Sequence, residues 1–357
     1  IQMKIGIYTQ PLSHNYGGIL QNYALQQVLK RMGHNPITIH HGQKNYWSNA
    51  KCIIHNLLRP LTKQPYWGVV SIKKLNKLKA PFKPFIKRYI HATKSVVKCT
   101  PEFIKRQHFG AIIVGSDQVW RPRYNDIYAS YLSIAKDIDI PKIAYAASFG
   151  VDRWEYTPEQ TNQCCELIKQ FKAVSVREAS GVNLCKKYLN TDAIEVLDPT
   201  LLLNRTDYRK LCHNIKCESE KYLLVYILDE DKDKELYVTE FAKQHNLVVK
   251  QIHAENQVSM SVEEWLSLFR DAAYVVTDSF HGTVFSILFQ KEFISMLNKG
   301  RGASRFESLL NKLQLSDRLI VDNQSIPSGQ IDWENVSDLL EKYRKESMLF
   351  LENAIKN

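Results

Sequence analysis

No stretch of the 357-residue chain stays apolar for the length of a membrane-spanning helix, and no secretory leader opens it, so neither a spanning nor an exported protein is expected. Ile1 and Gln2 ahead of Met3 read as residues added for expression. The seven cysteines are odd in number and include no C-x-x-C pair, which argues against a disulfide framework or zinc ribbon and for free thiols in a reducing cytoplasm. The G-x-G-x-x-G fingerprint, the P-loop and H-E-x-x-H are all missing, which removes the usual dinucleotide, nucleotide and zinc-protease signatures. The acid run Asp229-Glu230-Asp231-Lys232-Asp233 alternates with lysine and reads as a solvated helix start, so no metal and no cofactor is expected.

Acidic residues are scarcest between 51 and 108. That segment has fourteen Lys or Arg against the single acid Glu102, an excess larger than the whole chain's net charge of +11. Tyr66, Trp67, Phe82, Phe85, Tyr89 and Phe103 are interleaved with the cations. Such a mixture suits an anionic membrane surface or a nucleic-acid backbone, and equally the solvated basic face of a helical insertion. Prolines 60, 65, 81, 84 and 101 break residues 43–108 into short helical pieces.

What remains alternates strand and helix. Lys4–Thr9 reads as a buried strand, Gly18–Met32 as an amphipathic helix ended by Gly33, and Pro36–His40 as a second strand. A β-α-β order demands a crossover and a parallel sheet. Further strands are expected at Ala111–Val114, Lys142–Ala147, Ala173–Val176 and Ala193–Leu197, with helices at Pro158–Phe171 and Ala179–Leu189. A long connection with little periodicity starts at Asp198. A second alternation then runs from the strand Tyr222–Leu228 to the strand Arg318–Val321, and Trp333–Ile355 is one long terminal helix. The expected architecture is α/β, with two doubly wound domains facing each other across a cleft. They span 3–200, with the basic insertion at 43–108, and 201–332; the helix of 333–357 is long enough to cross back to the first.

The most telling stretch is Val275-Val-Thr-Asp-Ser-Phe-His-Gly-Thr283, a strand followed by a polar elbow and a buried helix. Such a unit points backbone N–H groups at the carboxyl edge of a sheet, where a small anion fits. His281 can move a proton there at neutral pH or hydrogen-bond a phosphate, and Ser279 and Gly282 share its turn. Asp278 is either a second carboxylate or the group that orients His281. The next strand leads to Lys299, Arg301 and Arg305 on a Gly-rich loop, cations suited to a carboxylate or phosphate. In the first half, Arg177 ends a strand, and Asp117 follows another as either a base or a turn cap. Asn15, Tyr16 and Gly17 open the first helix; with Gln21 and Gln118 they offer amides and hydroxyls to a sugar.

Six motifs in this order resemble the polysaccharide pyruvyl transferase family: Asn15-Tyr-Gly-Gly-Ile-Leu-Gln-Asn-Tyr-Ala-Leu25, Val114-Gly-Ser-Asp-Gln-Val-Trp120, Tyr145-Ala-Ala-Ser-Phe-Gly150, Ser175-Val-Arg-Glu178 with Ser180-Gly181, Leu197-Asp-Pro-Thr200, and the Ser279-Phe-His-Gly282 elbow. The resemblance covers roughly residues 3 to 310. It implies two Rossmann-like domains similar to the GT-B glycosyltransferase architecture. It also implies transfer of a pyruvyl group from phosphoenolpyruvate to two hydroxyls of a sugar, with closure of a cyclic ketal, in polysaccharide or lipid-linked glycan assembly. On this reading His281, Asp117 and Asp278 carry the proton transfers. Arg177, Ser279, His281, Gly282, Lys299, Arg301 and Arg305 hold the donor, and Asn15, Tyr16, Gly17, Gln21 and Gln118 hold the acceptor. The partners are phosphoenolpyruvate and a sugar acceptor on a polymer or a polyprenyl diphosphate. Peripheral contact with an anionic membrane is a further expectation, and nucleic acid is not expected. The competing readings are a GT-B-like glycosyltransferase using a nucleotide sugar, and a membrane-surface or nucleic-acid binding protein acting through the basic segment.

Overall fold

Two doubly wound parallel sheets organise the chain in a computed structural model that describes residues 2–42, 54, 57, 72–229, 231–252, 260–297, 302–321 and 329–356. The first half opens with β1 (Lys4–Tyr8), α1 (Tyr16–Arg31) and β2 (Asn35–Thr38). The described part of the basic segment forms three short helices, α2 (Ile72–Lys79), α3 (Lys83–Tyr89) and α4 (Pro101–Gln107). Then come β3 (Ala111–Val114), α5 (Ile127–Ser130), β4 (Lys142–Ala147), α6 (Pro158–Ile168), β5 (Phe171–Val176), α7 (Ala179–Leu189) and β6 (Ile194–Glu195). The strands lie parallel in the order β2-β1-β3-β4-β5-β6.

Two helices, α8 (Pro199–Leu202) and α9 (Arg205–Leu211), lead into the second half. It contains β7 (Tyr222–Tyr226), α10 (Lys232–Gln244), β8 (Val248–Ile252), α11 (Val262–Asp271), β9 (Tyr274–Thr277), α12 (Phe280–Leu288), β10 (Glu292–Met296), α13 (Ser304–Lys312) and β11 (Leu319–Ile320). Its parallel order is β11-β10-β9-β7-β8, and α14 (Trp333–Ile355) ends the chain.

Three expectations need correction. The helix beginning at Pro158 stops at Ile168, and Phe171 starts a strand, because Phe171 aligns with Lys142 of β4. The connection after Asp198 is helical: Asp198 caps α8 and Asn204 closes a capping box with Asp207 on α9. Each helix is too short to show a 3.6-residue period, so only the caps announce them. Helix α12 starts at Phe280, inside the stretch read as a polar elbow, since the Ser279 side chain accepts from the Gly282 N–H and places Phe280, His281 and Gly282 in the first turn.

Alternation along β1 sends Ile5 and Ile7 to one face and Tyr8 to the other. The Ile5–Ile7 face belongs to a single core shared by both halves. In it, Leu20 and Leu25 of α1 join Leu224 of β7, Trp265 and Phe269 of α11, Phe285 of α12 and Leu351 and Ile355 of α14. The outer faces have separate cores, around Ile112, Val114 and Trp120 in the first half and around Leu223, Val225 and Phe241 in the second. Helix α14 lies against the first half: Ser347 Oγ accepts from Leu197 N at 3.0 Å, and Arg344 donates to the carbonyls of Leu201 and Leu203. No helix among the described residues is long and apolar enough to cross a membrane.

Candidate functional site

The carboxyl ends of the strands in both halves face a common pocket. Asn15, Gly17, Asp117 and Gln118 line it from the first half, and Tyr226, Leu228, Asp278, Ser279, Phe280, His281 and Arg305 from the second. Ligands collect at this edge in open α/β sheets because helix N-termini and short loops converge there.

The second-half wall is built from the elbow between β9 and α12. Asp278 is buried and accepts from the Leu228 N–H at 2.6 Å and from Lys234 Nζ at 2.7 Å, tying the end of β9 to that of β7 and the start of α10. Ser279 caps α12. His281 lies one residue further on, with its ring against the start of α1: a side-chain carbon placed on Gly17 would fall 2.0 Å from His281 Nδ1. Only a residue without Cβ lets the imidazole take that place. His281 Nε2 is buried and has no hydrogen-bond partner among the described residues; its distance to Asp198 Oδ2, 3.7 Å, is an electrostatic contact longer than a hydrogen bond.

Behind the pocket sits a buried charge network. Arg177 at the end of β5 has no exposed side-chain surface; it donates through Nη1 to Asp198 at 2.7 Å and through Nη2 to Asp117 at 2.8 Å. Asp198 also accepts from Ser116 Oγ and from Thr200. Burial raises the pKa of Asp198, but His281, Arg177 and Thr200 together outweigh it and hold the carboxyl well below its usual range. Asp117 behaves alike: burial opposes ionisation, and Arg177, His281 and Arg305 overcome it. Both aspartates are therefore carboxylates at neutral pH.

Phe280 links the cations. The Arg177 guanidinium lies 4.8 Å from its ring centroid and that of Arg305 lies 5.5 Å away, both in cation–π contact. Arg305 is buried; burial first and then repulsion from Arg177 push its pKa down to about 10. Glu178, beside Arg177, is fully buried and accepts from Ser148 Oγ and the Phe149 and Gly150 N–H groups, fixing the loop after β4. Burial raises its pKa in spite of the neighbouring arginines.

The family model for polysaccharide pyruvyl transferase matches residues 15–300. The chain belongs to this family. No curated protein matches it. Among solved structures it is similar to UDP-N-acetylglucosamine 2-epimerase from Rickettsia bellii, at 11% identity over 99% of this chain and 97% of that one with a TM-score of 0.48. The UDP-GlcNAc 2-epimerase of Methanocaldococcus jannaschii gives 11%, 95%, 92% and 0.48, and a glycosyltransferase of Rickettsia africae gives 11%, 99%, 94% and 0.44. The architecture of two doubly wound parallel sheets rests on the strand orders described above.

Within this pyruvyl transferase family member, the residues named from sequence fall into distinct places. Asp117, Asp278, Ser279, His281 and Arg305 share the pocket with Asn15, Gly17 and Gln118. Asn15 also caps α1 through the Gly18 N–H. Gly282 is in the first turn of α12, capped by Ser279. Arg177 stands behind the pocket, between the two aspartates. Tyr16 is buried, stacked on Trp265 and donating to the Met260 carbonyl, and Gln21 braces Thr9 and the Ser116 N–H. Lys299 and Arg301 lie outside the described residues. Among the described residues, no group of three or more His, Cys, Asp or Glu side chains is placed to hold a metal.

Three participants carried no assigned role in the sequence reading: Asp198, Glu178 and Phe280. Each sits inside a recognised motif, so the signal was there. What was missing was the knowledge that α8 and α12 bring Asp198 and His281 within reach of each other.

Proposed function

We propose that the protein transfers the pyruvyl group of phosphoenolpyruvate to two hydroxyls of a sugar and closes a cyclic ketal. The observation that carries this reading is the convergence of His281 and Arg305 from the second half with Asp117 from the first on one pocket, in a member of this family. Arg305 and the N-terminal turn of α12 supply the positive charge that the donor's phosphate and carboxylate require. His281 gives a proton to the donor's methylene carbon, making C2 electrophilic. One sugar hydroxyl adds at C2, inorganic phosphate leaves with its C–O bond electrons, and the second hydroxyl closes the ring as its proton passes to the His281 imidazole, restoring the acid. Asp117, held ionised by Arg177, accepts the hydrogen bond and then the proton of an attacking hydroxyl. Arg177 acts through Asp117 and Asp198, keeping both as carboxylates.

The acceptor is assigned to glycan assembly on a lipid diphosphate at the inner face of a membrane. The lysines of α2 support this, since Lys73, Lys74 and Lys77 are exposed on one short helix. The test is incubation of the protein with phosphoenolpyruvate and a panel of glycan precursors, read by mass spectrometry for the ketal and by release of phosphate. Arg305→Ala is expected to weaken use of the donor by about one to two orders of magnitude, as loss of a buried charge-assisted contact does. Unchanged kinetics for phosphoenolpyruvate in that variant would remove Arg305 from the donor site.

A further inference from the structure

Away from the pocket just described, three segments meet beyond the carboxyl ends of β1 and β2. The loops after these strands are packed together: Tyr8 stacks on His41 with ring centroids 4.2 Å apart, His41 Nε2 lies 2.8 Å from the Thr9 carbonyl oxygen, and a side-chain carbon on Gly42 would fall 2.7 Å from Pro11 Cγ. The third segment is the end of α2, held by Phe82, whose ring lies 4.7 Å from that of Tyr16 at the start of α1. Lys79, three residues before Phe82, is half-buried there.

This corner is rich in cations and imidazoles. His14 and His40 both lie within electrostatic reach of Lys79, and Lys79 within reach of Lys83. The charges acting on these three groups include no carboxylate among the described residues; Asp126 acts on His41. The backbone of His40 is fixed by donation to Thr93 Oγ1 at 3.0 Å, yet its ring Nε2 is buried with no hydrogen-bond partner among the described residues. Burial and then Lys79 lower the pKa of both imidazoles, while burial and then Lys83 lower that of Lys79. An anion arriving here would relieve all three costs and give the buried His40 nitrogen an acceptor.

We propose that His14, His40 and Lys79 form a second anion site, which takes the phosphate or diphosphate ester of the sugar acceptor. This rests on the pyruvyl transfer reading for the identity of the sugar as acceptor. The placement fits: His14 immediately precedes Asn15, which lines the donor pocket, and β1 separates β2 from β3, the strand that leads into the Asp117 loop. The carboxyl ends of β2 and β3 are therefore about 10 Å apart at the usual strand spacing. That distance suits a hexose with its diol at the donor pocket and its anomeric phosphate at the histidines. The acceptor so selected is a glycosyl phosphate or diphosphate rather than the neutral end of a finished polymer.

The experiment is calorimetric titration of the full chain with inorganic pyrophosphate while phosphoenolpyruvate saturates its own site. Pyrophosphate is expected to bind the wild type under these conditions. Lys79→Ala and His40→Gln should each weaken it by about tenfold, Lys79→Arg should restore it, and phosphoenolpyruvate binding should be unchanged throughout. Pyrophosphate binding that is absent, or indifferent to Lys79→Ala while phosphoenolpyruvate still binds, overturns the second site and leaves the donor reading intact. Binding that depends on Lys79 in a protein that does not bind phosphoenolpyruvate upholds the anion site and sinks the donor reading instead. Parallel titrations with farnesyl diphosphate in detergent micelles and with a nucleoside diphosphate separate the two sources of the ester. Tighter, Lys79-dependent binding of the prenyl compound assigns the site to lipid-linked acceptors, and of the nucleotide to nucleotide-linked ones.

Discussion

Gly17→Ala tests the centre of the pocket with one added methyl group. The new carbon would stand 2.0 Å from His281 Nδ1, 2.4 Å from Cγ and 2.6 Å from Cε1. Non-bonded carbon contacts settle at about 3.5–4.0 Å, so the ring has to retreat by roughly 1.5 Å. Helix α1 cannot yield easily, since Asn15 caps it and Tyr16 is buried against Trp265. Stability changes little. Gly→Ala within a helix is worth about 1 kcal/mol in its favour, and the overlap costs about 1–3 kcal/mol, leaving a net loss of about 0–2 kcal/mol. Catalysis is more sensitive, because a misplacement of about 1 Å at a reacting group costs on the order of a hundredfold. The expected variant is folded in urea titrations and slower by about two orders of magnitude in phosphate release from phosphoenolpyruvate. Turnover within about twofold of wild type, in a protein whose His281 has demonstrably moved, would refute the role given to that imidazole.

His281→Asn is expected to abolish deuterium incorporation into the pyruvyl methyl group in heavy water while donor binding persists; normal turnover would exclude His281 from the chemistry, and loss of binding would make it a phosphate ligand. Asp117 and Asp198 have folded-state pKa values below their unfolded ones, so their contribution to stability is full above the ordinary carboxylate value of about 4 and is lost as pH falls through the folded values. Asp117→Asn should therefore flatten the acid limb of a stability–pH curve, and a limb as steep as wild type would count against the network. Replacing Lys73, Lys74 and Lys77 by glutamate should weaken co-sedimentation with anionic vesicles by about two orders of magnitude, at about 1 kcal/mol per lysine, while phosphate release with a short soluble acceptor survives. Equal binding to neutral and anionic vesicles would reduce α2 to a solvated face.

Much of this fold was legible because its signals are local. Ala111–Val114, Lys142–Ala147, Ala179–Leu189 and Trp333–Ile355 form the expected elements with the expected bounds, each having a clear apolar pattern and flanking turn or cap residues. Periodicity fails where an element spans no more than about two turns, as in α8 and α9, and where a strand begins straight after a helix, as at Phe171. The pocket was legible in part for a related reason. Asp117, Ser279 and His281 stand at strand ends, which the β-α-β pattern places at one edge. Asp198 and Phe280 matter through contacts with residues far away in sequence, and no spacing rule reports a 3.7 Å approach between Asp198 and His281. Tyr16 shows the converse: its motif suggested a sugar contact, but an aromatic ring at the start of a buried helix can instead be claimed by the core.

That ring has a mechanical consequence. Tyr16 lies between Phe82 of the basic insertion and Trp265 of the second half, and its hydroxyl reaches the Met260 carbonyl. Three parts of the molecule distant in sequence are thereby fastened together, one residue from Gly17. The close seating of His281 against Gly17 is thus braced from beside it, since the residue preceding that glycine is locked between aromatic rings of two other segments.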